Sequence, residues 1–231
     1  ILDAMKEKDM PQMIIADPLT IFWLTGKMIV PGERLLALYL NVNGNHKMMI
    51  NELFPQEKDL GVEIVWYNDV QDGVEILSQF VEKDKPIGID KIWPARFLLR
   101  LQELGAGSKF MNGSMIVDYI RMIKDEKEQE LMRESSRLND IVMDKLIPWV
   151  GKGLTERQLN EKVREIYKEV GCEDVSFDPI TAYAKGAADP HHVTDDSKGK
   201  RGDCVILDIG GFKNAYASDM TRTVFLGEVS D

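Results

Sequence analysis

Two aspartates near the end of the chain have the type and spacing that metal-dependent hydrolysis requires. Asp208 ends one β-rich stretch, Asp219 begins another, and a turn-forming segment separates them. If Lys213 and Asn214 are the two loop residues of a hairpin, the two carboxylates face each other, with Cβ atoms roughly 4.5–5.5 Å apart. Pairs of divalent ions that share carboxylate ligands serve many hydrolases. The spacing fits a metal site and fits equally a pair of solvated hairpin residues, because surface carboxylates far outnumber metal ligands.

A second cluster of polar residues precedes these aspartates. His191 and His192 are adjacent, in a chain that has only three histidines. Imidazole suits proton transfer, oxyanion stabilisation and metal binding near neutral pH. Taken alone, such a pair more often lies in a surface turn, because exposed polar residues far outnumber functional ones. Cys172 and Cys204 indicate neither a disulfide framework nor a zinc site.

The first part of the chain, residues 1–118, alternates short apolar runs with amphipathic stretches. Asn43 and Gly44 predict a hairpin between the runs at residues 35–40 and 48–50. The spacing of apolar residues over 74–81 and 95–104 predicts helices, and further short runs predict strands. This alternation predicts a small α/β domain.

The second part, residues 119–231, begins with two helices and continues with strands and turns. Asp125 is expected to cap the first helix, and Pro148 is expected to end it. Thr155 is expected to cap the second, which ends before Gly171. The fold class that follows for the whole chain is α/β (α+β).

Composition excludes several classes of partner. The chain has 231 residues and a formal charge of −10 at pH 7, from 29 basic and 39 acidic residues. Nucleic acids and anionic membranes select clustered basic side chains, so neither is an expected partner. No apolar run approaches the roughly 20 residues of a membrane helix, and the N-terminus lacks a signal-peptide pattern. We therefore expect a cytoplasmic protein that binds small molecules or peptides.

The spacing of His191, Asp208 and Asp219 resembles that of the pita-bread metallopeptidases, above all the Xaa-Pro dipeptidases (prolidases) and aminopeptidase P. His191 precedes Asp208 by 17 residues, and Asp208 precedes Asp219 by 11. Other segments extend the likeness over nearly the whole chain: residues 23–26, 121–130, 176–180 and 218–223. The resemblance implies a creatinase/prolidase N-terminal domain over residues 1–118, followed by the first part of a pita-bread metallopeptidase domain over 119–231.

The resemblance also implies roles for individual residues. Asp208 and Asp219 would be ligands of two divalent metal ions, with manganese the first expectation and cobalt or zinc the alternatives. His191 would contact the substrate and stabilise the tetrahedral intermediate, and Phe177 would line the pocket for the residue after the scissile bond. A hydroxide bridging the metal ions would attack the carbonyl that precedes proline in a short peptide.

The sequence departs from that family in one large respect. Relatives complete the metal site with a histidine and two glutamates that come later, so we expect a truncated chain that binds metal weakly and is inactive alone. Smaller departures are Ala184 and Gly186. Xaa-Pro dipeptidase is the first expected function, and aminopeptidase P is the alternative. A metal-free creatinase-like hydrolase or a non-catalytic pita-bread binding module is less favoured, because such proteins usually lose the aspartates.

The loop at residues 27–34 carries an expectation about assembly. An exposed apolar triplet at residues 28–30 is unfavourable unless something covers it. The loop could fold back on its own domain. The resemblance instead implies a homodimer in which this loop helps to close the partner's site, with Glu33 and Arg34 meeting the charged ends of a short peptide.

Overall fold

The computed structural model describes residues 1–56 and 59–228, and the chain divides into two compact units, Ile1–Ile123 and Lys124–Asp231. The helices are α1 (Leu2–Glu7), α2 (Pro18–Thr25), α3 (Gly73–Ser78), α4 (Ala95–Glu103), α5 (Ser114–Met122), α6 (Glu126–Val150) and α7 (Glu156–Glu169). The strands are β1 (Gln12–Ile15), β2 (Ala37–Asn41), β3 (Lys47–Asn51), β4 (Ile64–Tyr67), β5 (Pro86–Ile89), β6 (Lys109–Asn112), β7 (Asp174–Val175), β8 (Ile180–Tyr183), β9 (Cys204–Ile209), β10 (Gly211–Lys213), β11 (Tyr216–Ala217) and β12 (Met220–Phe225). Residue 118, where the sequence predicts the end of the first domain, lies within α5, and the first unit of the structure ends at Ile123.

The first unit is built on a six-stranded mixed sheet in the order β4-β3-β2-β1-β5-β6. The hairpin predicted from Asn43 and Gly44 is confirmed, since Ala37 of β2 pairs with Met49 of β3 in antiparallel register. β5 runs parallel to β1 and to β6. Connections between parallel strands need crossovers, and α3 and α4 lie in such segments.

Both faces of this sheet are buried. Ile14 and Tyr39 belong to one apolar cluster, while Met13 and Leu38, their neighbours along the strands, belong to another. Successive side chains of a strand point to opposite faces, so the two clusters lie on the two sides of the sheet. Near-continuous apolar strands are typical of sheets covered on both faces.

The second unit places two helices against one side of its strands. Its strands form two small sheets, in the orders β11-β10-β7 and β12-β9-β8. Burial alternates along β9, so that Val205, Leu207 and Ile209 pack in one cluster with Val142 of α6 and Val163 of α7. This alternation is typical of a sheet that has only one covered face.

Local sequence signals define most helix ends in this unit. The capping boxes predicted at Asp125 and Thr155 are both present. The prediction that Pro148 ends α6 is wrong, because the helix continues to Val150. Pro148 lies in the last turn, where its missing N–H forfeits a single helix hydrogen bond, and the buried Leu146 and Val150 hold that turn in place. Within the described residues, no helix has both the length and the apolar character needed to span a bilayer.

Candidate functional site

The turn between the two aspartate-bearing stretches lies one residue later than the sequence predicts. Lys213 pairs with Tyr216, so Asn214 and Ala215 are the two loop residues. Both have left-handed backbones, with φ of 50° and 64°, as in a type I′ hairpin turn. The carboxylate of Glu173 fixes this turn, because it accepts hydrogen bonds from the two loop N–H groups at 2.7 and 3.2 Å.

The predicted direct pairing of Asp208 with Asp219 is therefore wrong. Asp208 pairs with Thr221, and Phe212 pairs with Ala217 further along in the same register. Asp219 is two positions from the partner of Asp208, a diagonal relation that separates residues by roughly 7–8 Å. A shift of two positions leaves the sidedness of a strand unchanged. That the two carboxylates share one face stays a prediction.

Asp208 lies on the side of β9 opposite the helices. Its neighbours Leu207 and Ile209 are fully buried on the helix side, whereas Asp208 is half-buried. Its Oδ1 accepts a hydrogen bond of 2.5 Å from the hydroxyl of Thr221. Ile180 of β8 pairs with Asp208 from the other side. Asp208 thus occupies the central strand of a three-stranded row, with its carboxylate oriented by a neighbouring hydroxyl.

Phe177 packs at the same end of β9. A Cβ atom at Gly210 would lie 2.6 Å from Cε1 of Phe177 and 2.3 Å from both Oγ of Ser176 and the carbonyl oxygen of Ser218. Real Cβ atoms do not approach other groups so closely, so glycine is required here. Because Gly210 has no side chain, the Phe177 ring can pack against it. Gly210 lies two positions after Asp208 in the chain.

Buried polar side chains support the backbone beneath this site. Ser135 and Asn139 of α6 are each 1% exposed. Ser135 Oγ donates to the carbonyl of Gly211 at 3.2 Å, and Asn139 Nδ2 donates to the carbonyl of Ile209 at 3.4 Å. The hydroxyl of Tyr167 on α7 donates in turn to Asn139 Oδ1. Both helices therefore hold the strand segment that follows Asp208.

The pKa of the Tyr167 phenol is raised by its surroundings. Burial raises the pKa of its phenol well above the ordinary value, and the charges of Cys172 and Asp219 raise it further. The phenol therefore stays protonated and keeps its hydrogen bond to Asn139.

His191 lies in the loop between β8 and β9, and its side chain is exposed. Its backbone N–H donates to Oδ1 of Asp189 at 2.9 Å. Across residues 1–56 and 59–228, no contact is found that joins the imidazole of His191 to Asp208, Asp219 or Phe177. The structure thus places Phe177 against Gly210, two positions after Asp208 in the chain, and it leaves His191 on a separate loop.

The course of that loop is nevertheless defined by α7. Asn160 Nδ2 donates to Oγ1 of Thr194 at 3.3 Å and to the carbonyl of Pro179 at 2.6 Å. Pro179 immediately precedes Ile180, the residue of β8 that pairs with Asp208. The chain therefore returns, three residues after His191, to the end of β8 that lies beside Asp208.

Sequence reasoning missed a buried carboxylate under the same loop. Glu156, in the first turn of α7, is 1% exposed. It accepts hydrogen bonds from the N–H groups of Tyr183 and Asp195, at 2.9 and 3.0 Å, and lies 2.7 Å from Nε2 of His192. Glu156 and His192 are separated by 36 positions, so no local pattern could have joined them. The only sequence signal was an acidic residue inside a capping box.

The loop at residues 27–34 is partly packed on its own unit. Ile29 is 3% exposed, whereas Val30 is 70% exposed. Arg34 donates two hydrogen bonds to the carboxylate of Asp69, at 2.8 and 2.7 Å. This guanidinium holds the pKa of Asp69 below its ordinary value. The expected contact of Glu33 and Arg34 with peptide ends stays a prediction.

The donor set fits part of a site for divalent ions. Carboxylates are ligands that manganese, cobalt and zinc all accept. Asp208 and Asp219 offer two of them, with a register that keeps them close. Within the part of the chain that the structure describes, no cluster of three or more histidine, cysteine, aspartate or glutamate side chains could hold a metal ion. That Asp208 and Asp219 bind metal ions stays a prediction.

Two family matches divide the chain in the same order as its two units. Residues 1–123 match the Creatinase/Prolidase N-terminal domain, and residues 130–231 match Metallopeptidase family M24. An uncharacterized peptidase of Staphylococcus aureus (strain MSSA476) is 27% identical over 233 residues, which cover 100% of this chain and 66% of the relative. The chain thus spans about 66% of the length of the curated relatives that it matches.

Solved structures confirm the fold predicted from the sequence. A prolidase from Thermococcus sibiricus superposes with a TM-score of 0.91 at 27% identity, covering 99% of this chain and 64% of that one. A dipeptidase from Pyrococcus horikoshii OT3 superposes with a TM-score of 0.90 at 28% identity, covering 99% of this chain and 65% of that one. The similarity therefore extends through both units.

Proposed function

Because the chain belongs to the creatinase/prolidase N-terminal domain family and its second unit matches metallopeptidase family M24, we propose that the complete protein hydrolyses the peptide bond before proline in short peptides. The observation that supports this proposal is the orientation of Asp208 by Thr221, together with the packing of the Phe177 ring against Gly210, two positions after Asp208. A carboxylate and an aromatic ring on the same segment suit a metal-dependent site that binds an apolar ring.

In this proposal, Asp208 and Asp219 form part of the ligand set of two divalent ions, and manganese is the first expected ion. Such ions, when bound, activate water and stabilise negative charge that develops on a carbonyl oxygen. Thr221 donates to Oδ1 of Asp208 and so fixes the direction of its remaining lone pairs. The hydrogen bonds of Ser135 and Asn139 to the strand keep this carboxylate in place.

His191 and Phe177 are proposed to act on the substrate. His191 would donate a hydrogen bond to the oxygen that becomes negative in the tetrahedral intermediate, because its imidazole is exposed and has no described partner. Phe177 would pack on the proline ring, whose apolar surface gains from removal of water. The return of the loop to Pro179 supports this role for His191, because Pro179 precedes the β8 residue that pairs with Asp208.

A dipeptidase is favoured over an aminopeptidase P by the names of the structural relatives at 27% and 28% identity, a prolidase and a dipeptidase. We further propose that the protein acts in the cytoplasm as a homodimer, with Val30 of one subunit covered by its partner. Val30 is 70% exposed directly after the buried Ile29, and this exposed apolar side chain supports such a contact.

The test is hydrolysis by the complete protein after removal of metal with a chelator. Addition of manganese should restore cleavage of alanyl-proline, and cobalt or zinc should restore it to other extents. Alanyl-alanine, which lacks the ring, serves as the matched substrate and should be cleaved far more slowly. Cleavage of alanyl-prolyl-alanine at a rate similar to alanyl-proline would instead favour the aminopeptidase. Hydrolysis that persists without any added ion would contradict the proposal.

A further inference from the structure

We propose that His192, through its hydrogen bond to the buried Glu156, is a positioning residue that holds the loop carrying His191 in its working conformation. This inference rests on the proposed function, in which His191 contacts the substrate. The loop of residues 184–203 connects β8 to β9, so its path is not determined by either strand alone. The contacts of His192 provide the additional restraint on the path of the loop.

The acceptor of this hydrogen bond has a defined chemistry. Glu156 is 1% exposed, and its two oxygens face three groups. The N–H groups of Tyr183 and Asp195 can only donate, and an ionised carboxylate can only accept. We assign Nε2 of His192 as the protonated ring nitrogen, which donates a hydrogen bond to Oε2 of Glu156. The carboxylate thereby joins the end of β8, at Tyr183, to the middle of the loop, at His192 and Asp195.

The imidazole of His192 also fills a space that the chain leaves for it. The side chain of His192 is 17% exposed. A Cβ atom at Gly186 would lie 2.9 Å from Cε1 of His192 and 3.1 Å from Nε2. The ring is thus packed between the 3₁₀ turn Gly186–Ala188 and the first turn of α7. Contacts on two sides restrict the ring far more than a surface position would.

The segment after His192 is fixed to the same helix end by its backbone. The N–H groups of Glu156 and Arg157 donate to the carbonyls of Ser197 and Asp195, each at 3.1 Å. The first N–H groups of a helix lack partners within the helix, so these bonds satisfy the start of α7. The loop is therefore held at His192 and beyond it, whereas the exposed His191 lies directly before the anchor.

Loss of the His192 hydrogen bond should move His191. Without it, the buried carboxylate loses one of three donors, and residues 186–192 lose their link to α7. A displacement of about 1 Å can lower a rate by a factor of about 100, because catalytic groups act only in the correct geometry. Since His191 is proposed to act on the intermediate, the displacement should lower kcat and leave KM nearly unchanged.

The experiment compares three variants of the complete, metal-loaded protein. His192→Ala should lower kcat for alanyl-proline by about 10- to 100-fold, with KM within about threefold. In His192→Gln, the amide nitrogen can occupy the place of Nε2 and donate to Glu156, so kcat should return to within about threefold of wild type. Val193→Ala is the matched control, because Val193 is in the same loop, 84% exposed, and should leave kcat unchanged.

Amide hydrogen exchange separates this proposal from the proposed function. In His192→Ala, amides of residues 186–195 should exchange about tenfold faster or more, while those of His192→Gln and Val193→Ala should match wild type. Wild-type protein that does not cleave alanyl-proline would refute the function, yet the exchange data would still decide the role of His192. Unchanged exchange in His192→Ala, or a kcat within threefold of wild type in an active enzyme, would overturn the positioning role.

Discussion

The two units treat the faces of their sheets differently. In the first unit, both faces of the six-stranded sheet are buried in apolar clusters. In the second, β9 buries Val205, Leu207 and Ile209 on one side and presents Asp208 on the other. A sheet covered on both sides has no surface left for a substrate. A sheet covered on one side supplies a stable backbone and an open face, which is where reactive side chains can lie.

Buried polar residues show the same difference. In the first unit, Tyr39 donates to Gln12 at 2.8 Å and Asn41 donates to Glu82 at 2.6 Å, so these groups satisfy one another inside the unit. In the second unit, Asn139 reaches instead to the backbone that follows Asp208. Satisfied polar groups in the first unit serve packing, whereas those in the second hold a strand whose other face carries the candidate site.

The largest expected effect is on activity, in the second unit. In the complete protein, Asp208→Asn should lower kcat by about 10²–10³-fold, because it removes a charge that holds cations near developing negative charge. The free energy of unfolding should change by less than about 0.5 kcal/mol, since the side chain is not in the core. Asp144→Asn, on the exposed side of α6, is the control. A tenfold or smaller loss of kcat in Asp208→Asn would show that this face of β9 does not carry the reaction.

The converse substitution belongs to the first unit. Leu77 of α3 is fully buried, so Leu77→Ala should lower the free energy of unfolding by about 2–5 kcal/mol. Denaturant unfolding measures this loss, and the kcat of the folded protein should stay unchanged. Val70→Ala is the control, because Val70 is 94% exposed and should cost less than about 0.5 kcal/mol. A fall in kcat with Leu77→Ala would mean that the first unit also shapes the reaction.

Gly210 is expected to affect both stability and activity, because it lies in a closely packed region and next to the candidate site. Gly210→Ala forces a methyl group against the Ser218 carbonyl and the Phe177 ring, so we expect a loss of about 1–3 kcal/mol in unfolding free energy. KM for proline peptides should also rise as the ring moves. Gly151→Ala is the matched control, since its Cβ meets nothing within 4 Å and φ is −82°. Equal stability of the two variants would refute the close packing at Gly210.

The smallest effect concerns the acid response of the first unit. Burial acts to raise the pKa of Asp72, but hydrogen bonds from Arg100 and from two N–H groups of α3 hold it below its ordinary value. A lowered folded-state pKa stabilises the protein above about pH 4, and this contribution is lost as pH falls through the folded-state value. Asp72→Asn keeps the helix cap but loses the ion pair. Its stability deficit at pH 7 should shrink between pH 4 and 3, and a deficit that grows there would exclude this origin.

The sequence predicted the features that depend on residues close together in the chain. The hairpin at Asn43 and Gly44 and the capping boxes at Asp125 and Thr155 each depend on residues a few positions apart, and all three are present. The turn before Asp219 was misplaced by one residue because Ala215 adopts a left-handed conformation, which alanine rarely does. Its stabilising partner, Glu173, lies more than 40 positions earlier, outside the reach of local patterns.

The candidate site follows the same division. Asp208 and Asp219 could be selected from their spacing, because one hairpin carries both. The close approach of Phe177 to Gly210 and the link of His192 to Glu156 bring together residues over 30 positions apart, and they depend on packing that no short pattern encodes. The error in register shifted the pairing by two positions, so it did not change which residues face the helices.

The position of β1 in the middle of its sheet has a consequence for synthesis on the ribosome. β1 can pair with β2 soon after Asn41 is made, but Gln12 must wait for Ile87 before its other edge is covered. Long-range parallel pairing forms slowly. In contrast, β9 and β12 are connected only by the short β10–β11 hairpin, so they can associate as soon as they emerge. During that wait, an apolar strand with an open edge can pair with other chains. Nascent chains of this protein are therefore most prone to aggregate before residue 87 is added.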